Sequence, residues 1–410
     1  MKIVLLCTGY SLDPKSPSLS DKLAHALVKN GHEVSVFVVN WSKKRLDTPQ
    51  IRKDGSLDVL VVDPIQIRFG PNALKKVVKW LFSSASLLGA LARYRRAYQV
   101  DVVVGFSPAV SMFLPILLMT MFSRARSFLV QWDFFPTHHA EIGLLSGCGL
   151  IRSLKAMETL LMRRFDVIGC MSPKNVAYLR ENYRLAARQR VVQLPIWSSF
   201  PKFTPMLRSA VRSRYDLPVE LPLLIFGGQM SKGRGIEDIL AIAQRAEQGS
   251  MYCGFLFVGD GEQVPLIQQA ISNGAANVFY LKGVPRDEYL SLLSAYDIGI
   301  VSTVRGVSVP TFPSKTLDYI NVSIPIIAAV ERATDYGDFV SESGIGLSVE
   351  AGAYDDFIHA IRKIISSSAD APWRQHDTFV RAREAFKAEH VARCLVDYVC
   401  PDASTTGSVR

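Results

Sequence analysis

None of the six cysteines pairs with another at C-x-x-C spacing, which removes the short-spaced zinc and redox motifs. Cys7, Cys170 and Cys253 lie inside apolar runs and read as small core residues, and a reducing, cytosolic compartment is the expectation. No uninterrupted apolar run reaches the roughly 18 residues that cross a bilayer as a helix. The nearest, Met112 to Phe122, contains Pro115 and is expected to be a buried helix. The opening run Met1-Lys2-Ile3-Val4-Leu5-Leu6-Cys7 is too short for the apolar region of a signal peptide and gives way to polar, Pro-containing sequence, so it is expected to be a first buried strand. Low-complexity sequence is missing except in 402–410, which reads as a frayed tail. Acidic residues are in deficit, 37 against 47 Lys and Arg, and the net charge of +10 favours an anionic partner: nucleotide phosphate, lipid head group or nucleic acid. The basic residues are dispersed and carry no nucleic-acid-binding motif, so nucleic acid is not expected as a partner.

What is present is a globular composition, 49% apolar and 20% charged, over 410 residues, enough for two domains with a core each. Short Val- and Ile-rich runs alternate with helical patterns. In the first half strands are expected at Ile3–Cys7, Glu33–Val39, Leu57–Val62, Asp101–Gly105, Ser127–Gln131, Asp166–Met171 and Val191–Leu194, with a helix at Leu19–Lys29 ended by Asn30-Gly31. Five prolines, Pro195, Pro201, Pro205, Pro218 and Pro222, then interrupt the chain. After them the alternation restarts with strands at Leu223–Phe226, Gly254–Val258, Val278–Leu281, Ile298–Val301 and Ile324–Ala328, and helices near Ile236–Glu247, Val264–Asn273, Asp287–Leu293 and Ser314–Asn321. The expected fold class is α/β: two Rossmann-like, doubly wound domains facing each other across a cleft, with ligands at the carboxyl ends of the strands. The boundaries read as 1–198 for the first domain, 199–221 for a linker and 222–385 for the second domain. Residues 386–400 read as a helix returning to the first domain, and 401–410 as the tail.

Several second-half segments are more specific. Phe226-Gly227-Gly228-Gln229-Met230-Ser231-Lys232-Gly233-Arg234-Gly235-Ile236 is followed by Phe257-Val258-Gly259-Asp260-Gly261-Glu262, by Leu281-Lys282-Gly283-Val284-Pro285-Arg286-Asp287-Glu288 and by Ala295-Tyr296-Asp297-Ile298. Pro313-Ser314-Lys315-Thr316-Leu317-Asp318-Tyr319-Ile320 comes last, before Ile324-Pro325-Ile326-Ile327-Ala328. In this order and spacing they resemble the nucleotide-sugar domain of glycosyltransferase family 4, retaining enzymes of the GT-B fold. In the first half, Leu27-Val28-Lys29-Asn30-Gly31-His32-Glu33-Val34 resembles the family's first helix-to-strand turn. Ser107-Pro108 and Gln131-Trp132-Asp133-Phe134-Phe135-Pro136 resemble a branch acting in bacterial surface-polysaccharide assembly. The resemblance covers about residues 1 to 400.

The chemistry of such a reaction explains these residue types. Breaking the bond between an anomeric carbon and a phosphate oxygen builds negative charge on the leaving diphosphate, and fixed N–H groups and cations stabilise it. Gly227-Gly228, after a strand and before a helix, can supply backbone N–H groups, or can be a tight loop without a ligand. The resemblance implies two basic positions in this loop. The first is Gln229 here, and the second, Arg234, can fork onto phosphate oxygens. Lys315, with Ser314 before it, can add charge from another loop; a cation beside a helix start is poorly placed unless an anion is near. Asp318 matches the family's ribose-binding carboxylate, usually Glu. The family's second Glu, eight residues earlier, is Pro310 here, and Thr311 is the expected replacement contact to the sugar. Gly283 and Val284 are carried over as contacts to the base. Asp133 is a candidate base for the acceptor hydroxyl or a capping residue, and the family's preceding His is Trp132 here. Asp133, Arg234 and Lys315 are thus the catalytic candidates, and Gly228, Gln229, Arg234, Gly283, Val284, Thr311, Ser314, Lys315 and Asp318 the donor-binding ones. His138, His139 and Glu141 lack a third ligand at fixed spacing, so no metal site is expected. Ser16-Pro17-Ser18-Leu19-Ser20 matches the family's phosphate-facing loop without its glycines, and Ser18 or Ser20 is expected to cap the helix instead.

The resemblance further implies a UDP- or GDP-linked sugar donor, no metal or other cofactor, retention by front-face attack, a lipid-linked saccharide acceptor and a cytoplasmic site on the inner face of the membrane. Residues 74–96 place Lys75, Lys76, Lys79, Arg93, Arg95 and Arg96 around an apolar stretch with Trp80, either a basic amphipathic helix on anionic lipid or a helix packed on the first sheet. Two alternatives stand beside the transferase. One is a sugar epimerase on the same fold. The other is a non-catalytic nucleotide-sugar-binding or scaffold protein of a polysaccharide assembly complex, motivated by the departures at Gln229, Pro310 and Trp132.

Overall fold

The computed structural model describes residues 1–11, 17–41, 50–64, 82, 85–93, 99–123 and 125–400. The chain divides into two compact units, one comprising Met1–Ala140, Leu145–Ser199 and Lys387–Arg410, the other Glu141–Leu144 and Phe200–Phe386.

The first unit is built on eight strands: β1 (Lys2–Cys7), β2 (Glu33–Val39), β3 (Gln50–Asp54), β4 (Leu57–Val62), β5 (Val102–Phe106), β6 (Arg126–Gln131), β7 (Val167–Cys170) and β8 (Arg190–Gln193). Their order is β3-β4-β2-β1-β5-β6-β7-β8. Every neighbouring pair is parallel except β3 with β4. The interior strands are buried on both faces, as their continuous Val, Ile and Leu runs require. β3 was not apparent from the sequence: Gln-Ile-Arg-Lys-Asp has the polar composition of an exposed edge strand. Helix Leu19–Lys29 follows β1. Ser18 caps it in a capping box with Asp21, the structural role expected of this serine. The last described helix, Ala388–Val399, packs on it through Val391 and Leu395, both 0% exposed. Lys29 reaches Glu389 at 2.7 Å beside that contact.

Met112–Phe122 is helical over Phe113–Ser123, with Ile116 and Met119 buried, but Met121 and Phe122 are 65% and 67% exposed, so this helix is buried on one face only. Within 74–96 only Phe82 and Ala85–Arg93 are described; there Leu87 and Leu91 turn inward, 0% and 4% exposed. Lys75, Lys76, Lys79, Trp80, Arg95 and Arg96 lie outside the described residues, as do 401–410. Among the described residues no helix is long and apolar enough to cross a membrane.

The second unit holds β9 (Leu223–Gly227), β10 (Gly254–Val258), β11 (Val278–Leu281), β12 (Ile298–Ser302), β13 (Ile326–Val330) and β14 (Gly346–Glu350), in the order β11-β10-β9-β12-β13-β14 and parallel throughout. The stretch expected as a linker contains helix Arg208–Arg214 and is tied to this sheet. Arg212, 0% exposed, donates to Asp297 at 2.8 Å and to the carbonyls of Pro218 and Val219 at 2.9 Å. Asp297 in turn accepts the Leu223 N–H that opens β9. Strand order reverses at β1/β5 in the first unit and at β9/β12 in the second. In open α/β sheets ligands sit beyond the carboxyl ends of the strands at such points.

Candidate functional site

At the β9/β12 switch point the chain leaves β9 through Gly227-Gly228 and returns as helix Ile236–Gln248. The loop is packed backbone against backbone. Gly228 N–H donates to Val258 O, Met230 N–H to Asp260 O and Gly259 N–H to Leu281 O, at 2.9–3.0 Å. This contact explains Gly259: φ is 143°, and a Cβ there would lie 2.0 Å from Gly228 O. Gly235, at φ 64°, starts the helix hard against β12, where a Cβ would meet Ser302 Oγ at 2.2 Å. The carboxyl ends of β9, β10, β11 and β12 are thereby drawn into one rim, with Gly228, Gln229 and Gly283 exposed along it and Val284 half-buried.

Helix Thr316–Val322 is pinned to the same rim by Tyr319, whose buried hydroxyl accepts the Gly227 N–H at 3.2 Å and lies 3.0 Å from Ile225 O. Lys315 directly precedes this helix. Part of its stem is exposed, but Nζ is buried and has no hydrogen-bond partner among the described residues. The ammonium stands 3.1 Å from the centroid of the Phe226 ring, itself 0% exposed in the core of this unit. Burial, and then the neighbouring Arg234 guanidinium, hold the Lys315 ammonium well below the usual lysine range. Arg234, half-buried in the glycine loop, has no acidic partner among the described residues. Two cations within electrostatic reach, one of them buried without an acceptor, destabilise the protein unless an anion joins them. Ser314 beside Lys315 is exposed.

Asp318 does not pair with Lys315, although it lies one helical turn away. Its carboxylate is held in a fork by Arg286, with Nη1 to Oδ2 at 2.8 Å and a second bond from Nη2 to Oδ1. Arg286 opens the helix after Gly283-Val284 and lies 5.4 Å from the centroid of the Tyr289 ring. Sequence reasoning missed this partner, which is 32 residues away and carries no periodic signal.

Thr311 does not present a free hydroxyl to a ligand. It donates to Glu331 Oε1 at 3.0 Å, and Thr303 donates to Oε2 of the same carboxylate. Thr334 closes the network by donating to Thr311 O at 2.5 Å. Glu331, 5% exposed at the end of β13, therefore braces the turn that leads through Pro313 to Lys315. Pro310 at its centre is buried.

In the first unit, Ser107 Oγ accepts the N–H groups of Trp132 and Asp133 at 3.0 and 3.2 Å, and Gln131 Nε2 donates to Asp133 O at 2.7 Å. Asp133 is exposed at the carboxyl end of β6, and its carboxylate has no hydrogen-bond partner among the described residues; it does not cap a helix. Burial lowers the pKa of His139, and the Asp133 charge opposes that shift. Among the described residues no group of three His, Cys, Asp or Glu side chains is placed to hold a metal.

No family model matches the chain. It is 22% identical over 426 aligned positions to a protein described as the colanic acid biosynthesis glycosyl transferase WcaI of Escherichia coli (strain K12), covering 97% of this chain and 99% of that one. Among solved structures it superposes on sucrose-phosphate synthase from Thermosynechococcus elongatus with a TM-score of 0.73 at 17% identity, over 97% and 98% of the two chains. Anabaena HepE, solved in complex with UDP-glucose, gives a TM-score of 0.68 at 14% identity over 97% and 99%. The chain has the GT-B fold of two Rossmann-like α/β domains and is similar, along almost its whole length, to a glycosyltransferase of bacterial polysaccharide biosynthesis.

Proposed function

We propose that this protein transfers a sugar from a nucleoside-diphosphate sugar, UDP- or GDP-linked, to a lipid-linked saccharide acceptor during surface-polysaccharide biosynthesis. The observation that carries this reading is Lys315: a buried ammonium with no acceptor among the described residues, beside a second cation, at the strand ends where this fold takes ligands. The diphosphate is the anion it fits. Similarity to the E. coli polysaccharide glycosyl transferase supports the reaction class, and the UDP-glucose complex of HepE supports the donor class.

In this mechanism the acceptor oxygen bonds to the anomeric carbon as the bond to the phosphate oxygen breaks. The electron pair leaves with the nucleoside diphosphate, and the hydroxyl proton passes to Asp133. Arg234 and Lys315 meet the charge that grows on the leaving group, an interaction stronger in the transition state than in the bound donor. The N–H groups of Gly227 and Gly228, expected to meet the phosphates, are taken by Tyr319 and Val258; Gln229 offers its backbone and amide groups to the phosphates instead, Ser314 stands beside Lys315, Gly283 and Val284 face the base, and Asp318 accepts from the ribose. Attack comes from the side of the leaving phosphate, with retention, and no metal takes part. Residues 74–96 hold the protein against anionic lipid on the cytoplasmic side, near its acceptor.

Screening nucleoside-diphosphate sugars for thermal stabilisation tests the proposal. A ligand at about 100 times its Kd adds about 2.7 kcal/mol. A shift given by a UDP- or GDP-sugar and lost in Arg234→Ala supports the donor site, and no shift from any such sugar removes it.

A further inference from the structure

The turn that follows β12 is held by a carboxylate from 167 residues earlier in the chain. Glu141 lies on the short stretch Glu141–Leu144, which belongs to the second unit. Its Oε2 accepts the N–H groups of Ser308 at 3.0 Å and Val309 at 3.3 Å, and its Oε1 accepts the Ser308 hydroxyl. Two successive N–H groups converging on one anion form a nest. Here the anion is the protein's own. The next residue, Ile142, packs on the glycine loop, where a Cβ on Gly233 would lie 3.1 Å from its Cγ2. Glu141 and Ile142 thus tie the turn after β12 to the residue that precedes Arg234 in the loop after β9.

The far end of the turn is held as well, because Thr311 gives its hydroxyl to Glu331. Two carboxylates, buried Glu331 and exposed Glu141, therefore set its conformation. Sheet order indicates which part of a donor meets it, and this step rests on the donor reading above. In that reading the base lies at Gly283-Val284, after β11, and the diphosphate at Arg234, after β9. The strands run β11-β10-β9-β12-β13. A ligand extended along their carboxyl ends carries its sugar past β9 to β12, and the loop there is this turn.

We infer that Glu141 is a positioning residue that fixes the 306–310 turn against the transferred sugar, so that it sets which sugar the site prefers without contributing to nucleotide binding. A turn locked in one conformation suits one arrangement of sugar hydroxyls. A released turn has two N–H groups and a hydroxyl free to meet several arrangements, and selectivity falls. Glutamine can hold the turn in the same way. Its amide oxygen accepts the two N–H groups and its NH₂ donates to the Ser308 oxygen. Alanine cannot.

Calorimetry on the wild type, Glu141→Gln and Glu141→Ala tests this. The ligands are UDP-glucose, UDP-galactose and UDP-N-acetylglucosamine against UDP alone, and GDP-mannose, GDP-glucose and GDP-fucose against GDP alone. The wild type is expected to favour one sugar over another on the same nucleotide by about tenfold or more. In Glu141→Ala that ratio is expected to fall towards one, while affinity for the nucleotide alone changes by about twofold or less. Glu141→Gln is expected to keep the ratio. Glu141 is exposed, so both variants are expected to fold. An unchanged ratio in Glu141→Ala overturns the inference. So does a loss of nucleotide and nucleotide-sugar affinity by the same factor, which is the signature of a merely structural tie. A Glu141→Gln variant as unselective as Glu141→Ala also overturns it, because the charge and not the held turn would then be what the sugar meets. A wild type that binds its nucleotide with no preference among sugars overturns the inference alone, whereas no binding of any nucleoside diphosphate or nucleotide sugar overturns the donor reading and this inference with it.

Discussion

Replacing Lys315 by methionine should make the protein more stable and worse at binding a nucleotide. The Lys315 ammonium is buried, lacks an acceptor among the described residues and feels the Arg234 charge. Methionine keeps an unbranched stem over the Phe226 ring, and sulfur packs well against an aromatic edge. Relief of one buried, unsatisfied polar group is worth about 1–3 kcal/mol. For a domain of about 150–250 residues each kcal/mol moves Tm by roughly 2–4 °C. The lost charge-assisted contact to a diphosphate is worth about 1.5–3 kcal/mol, or roughly 10- to 150-fold in Kd. The pH dependence adds a third readout. The folded protein holds this lysine below its ordinary value of 10.5, so over that interval the unfolded chain binds more protons and stability rises with pH. Lys315→Met should remove that slope. Thermal unfolding across pH and nucleotide calorimetry read all three quantities. A variant that melts lower and binds UDP and GDP as the wild type does would show that Lys315 serves packing, and the argument for an anion site would fail.

Glu158 is fully buried, and its carboxylate accepts the N–H groups of Ala109 at 2.6 Å and Val110 at 3.1 Å. Burial outweighs those bonds and pushes its pKa from 4.5 to about 7. The folded state therefore keeps its proton longer than the unfolded one. Its contribution is fully present below 4.5 and lost as pH rises through about 7, on the order of 3 kcal/mol at ~1.4 kcal/mol per unit. Glu158→Gln should flatten denaturant stability between those pH values; an unchanged slope would contradict the assignment. Arg212→Met should destabilise the second unit by about 3 kcal/mol, the lower end for breaking a buried pair because Asp297 keeps Arg208 at 2.6 Å. Urea unfolding measures it, and a loss within ~0.5 kcal/mol would mean that the 199–221 segment is not anchored by this pair. Leu395→Ala, at a position 0% exposed, should cost about 2–5 kcal/mol and destabilise the first unit, although it lies near the end of the chain. Hydrogen exchange in helix Leu19–Lys29 would locate that loss, and unaltered protection there would refute the packing.

The strands of this fold announce themselves because parallel strands covered on both faces need uninterrupted apolar runs. Glu33–Val39 and Gly254–Val258 stand where their Val and Phe content places them. β3 is missing from that signal because an exposed edge strand has no apolar face to show, and Gly346–Glu350 because its inward face is only half-buried. The rim was legible where chemistry is local: Gly228 at a strand end, Arg234 before a helix, and Lys315 in a position that disfavours a cation. It was not legible where two distant segments meet. Nothing near Asp318 marks Arg286 as its partner, and nothing near Thr311 foretells that Glu331, 20 residues on, takes its hydroxyl. Such pairs are set by sheet order, which brings the ends of β11, β12 and β13 beside the helix that carries the site.

The central claim is sugar transfer, and the direct test is to incubate the protein with UDP- and GDP-linked sugars and a bacterial lipid extract. The readout is nucleoside diphosphate release together with label entering the organic phase. Release and incorporation in equal amounts, both lost in Arg234→Ala, are the predicted result. A protein that binds the nucleotide sugar yet yields neither product with any acceptor lipid would be a scaffold, and the catalytic roles given to Asp133, Arg234 and Lys315 would be wrong.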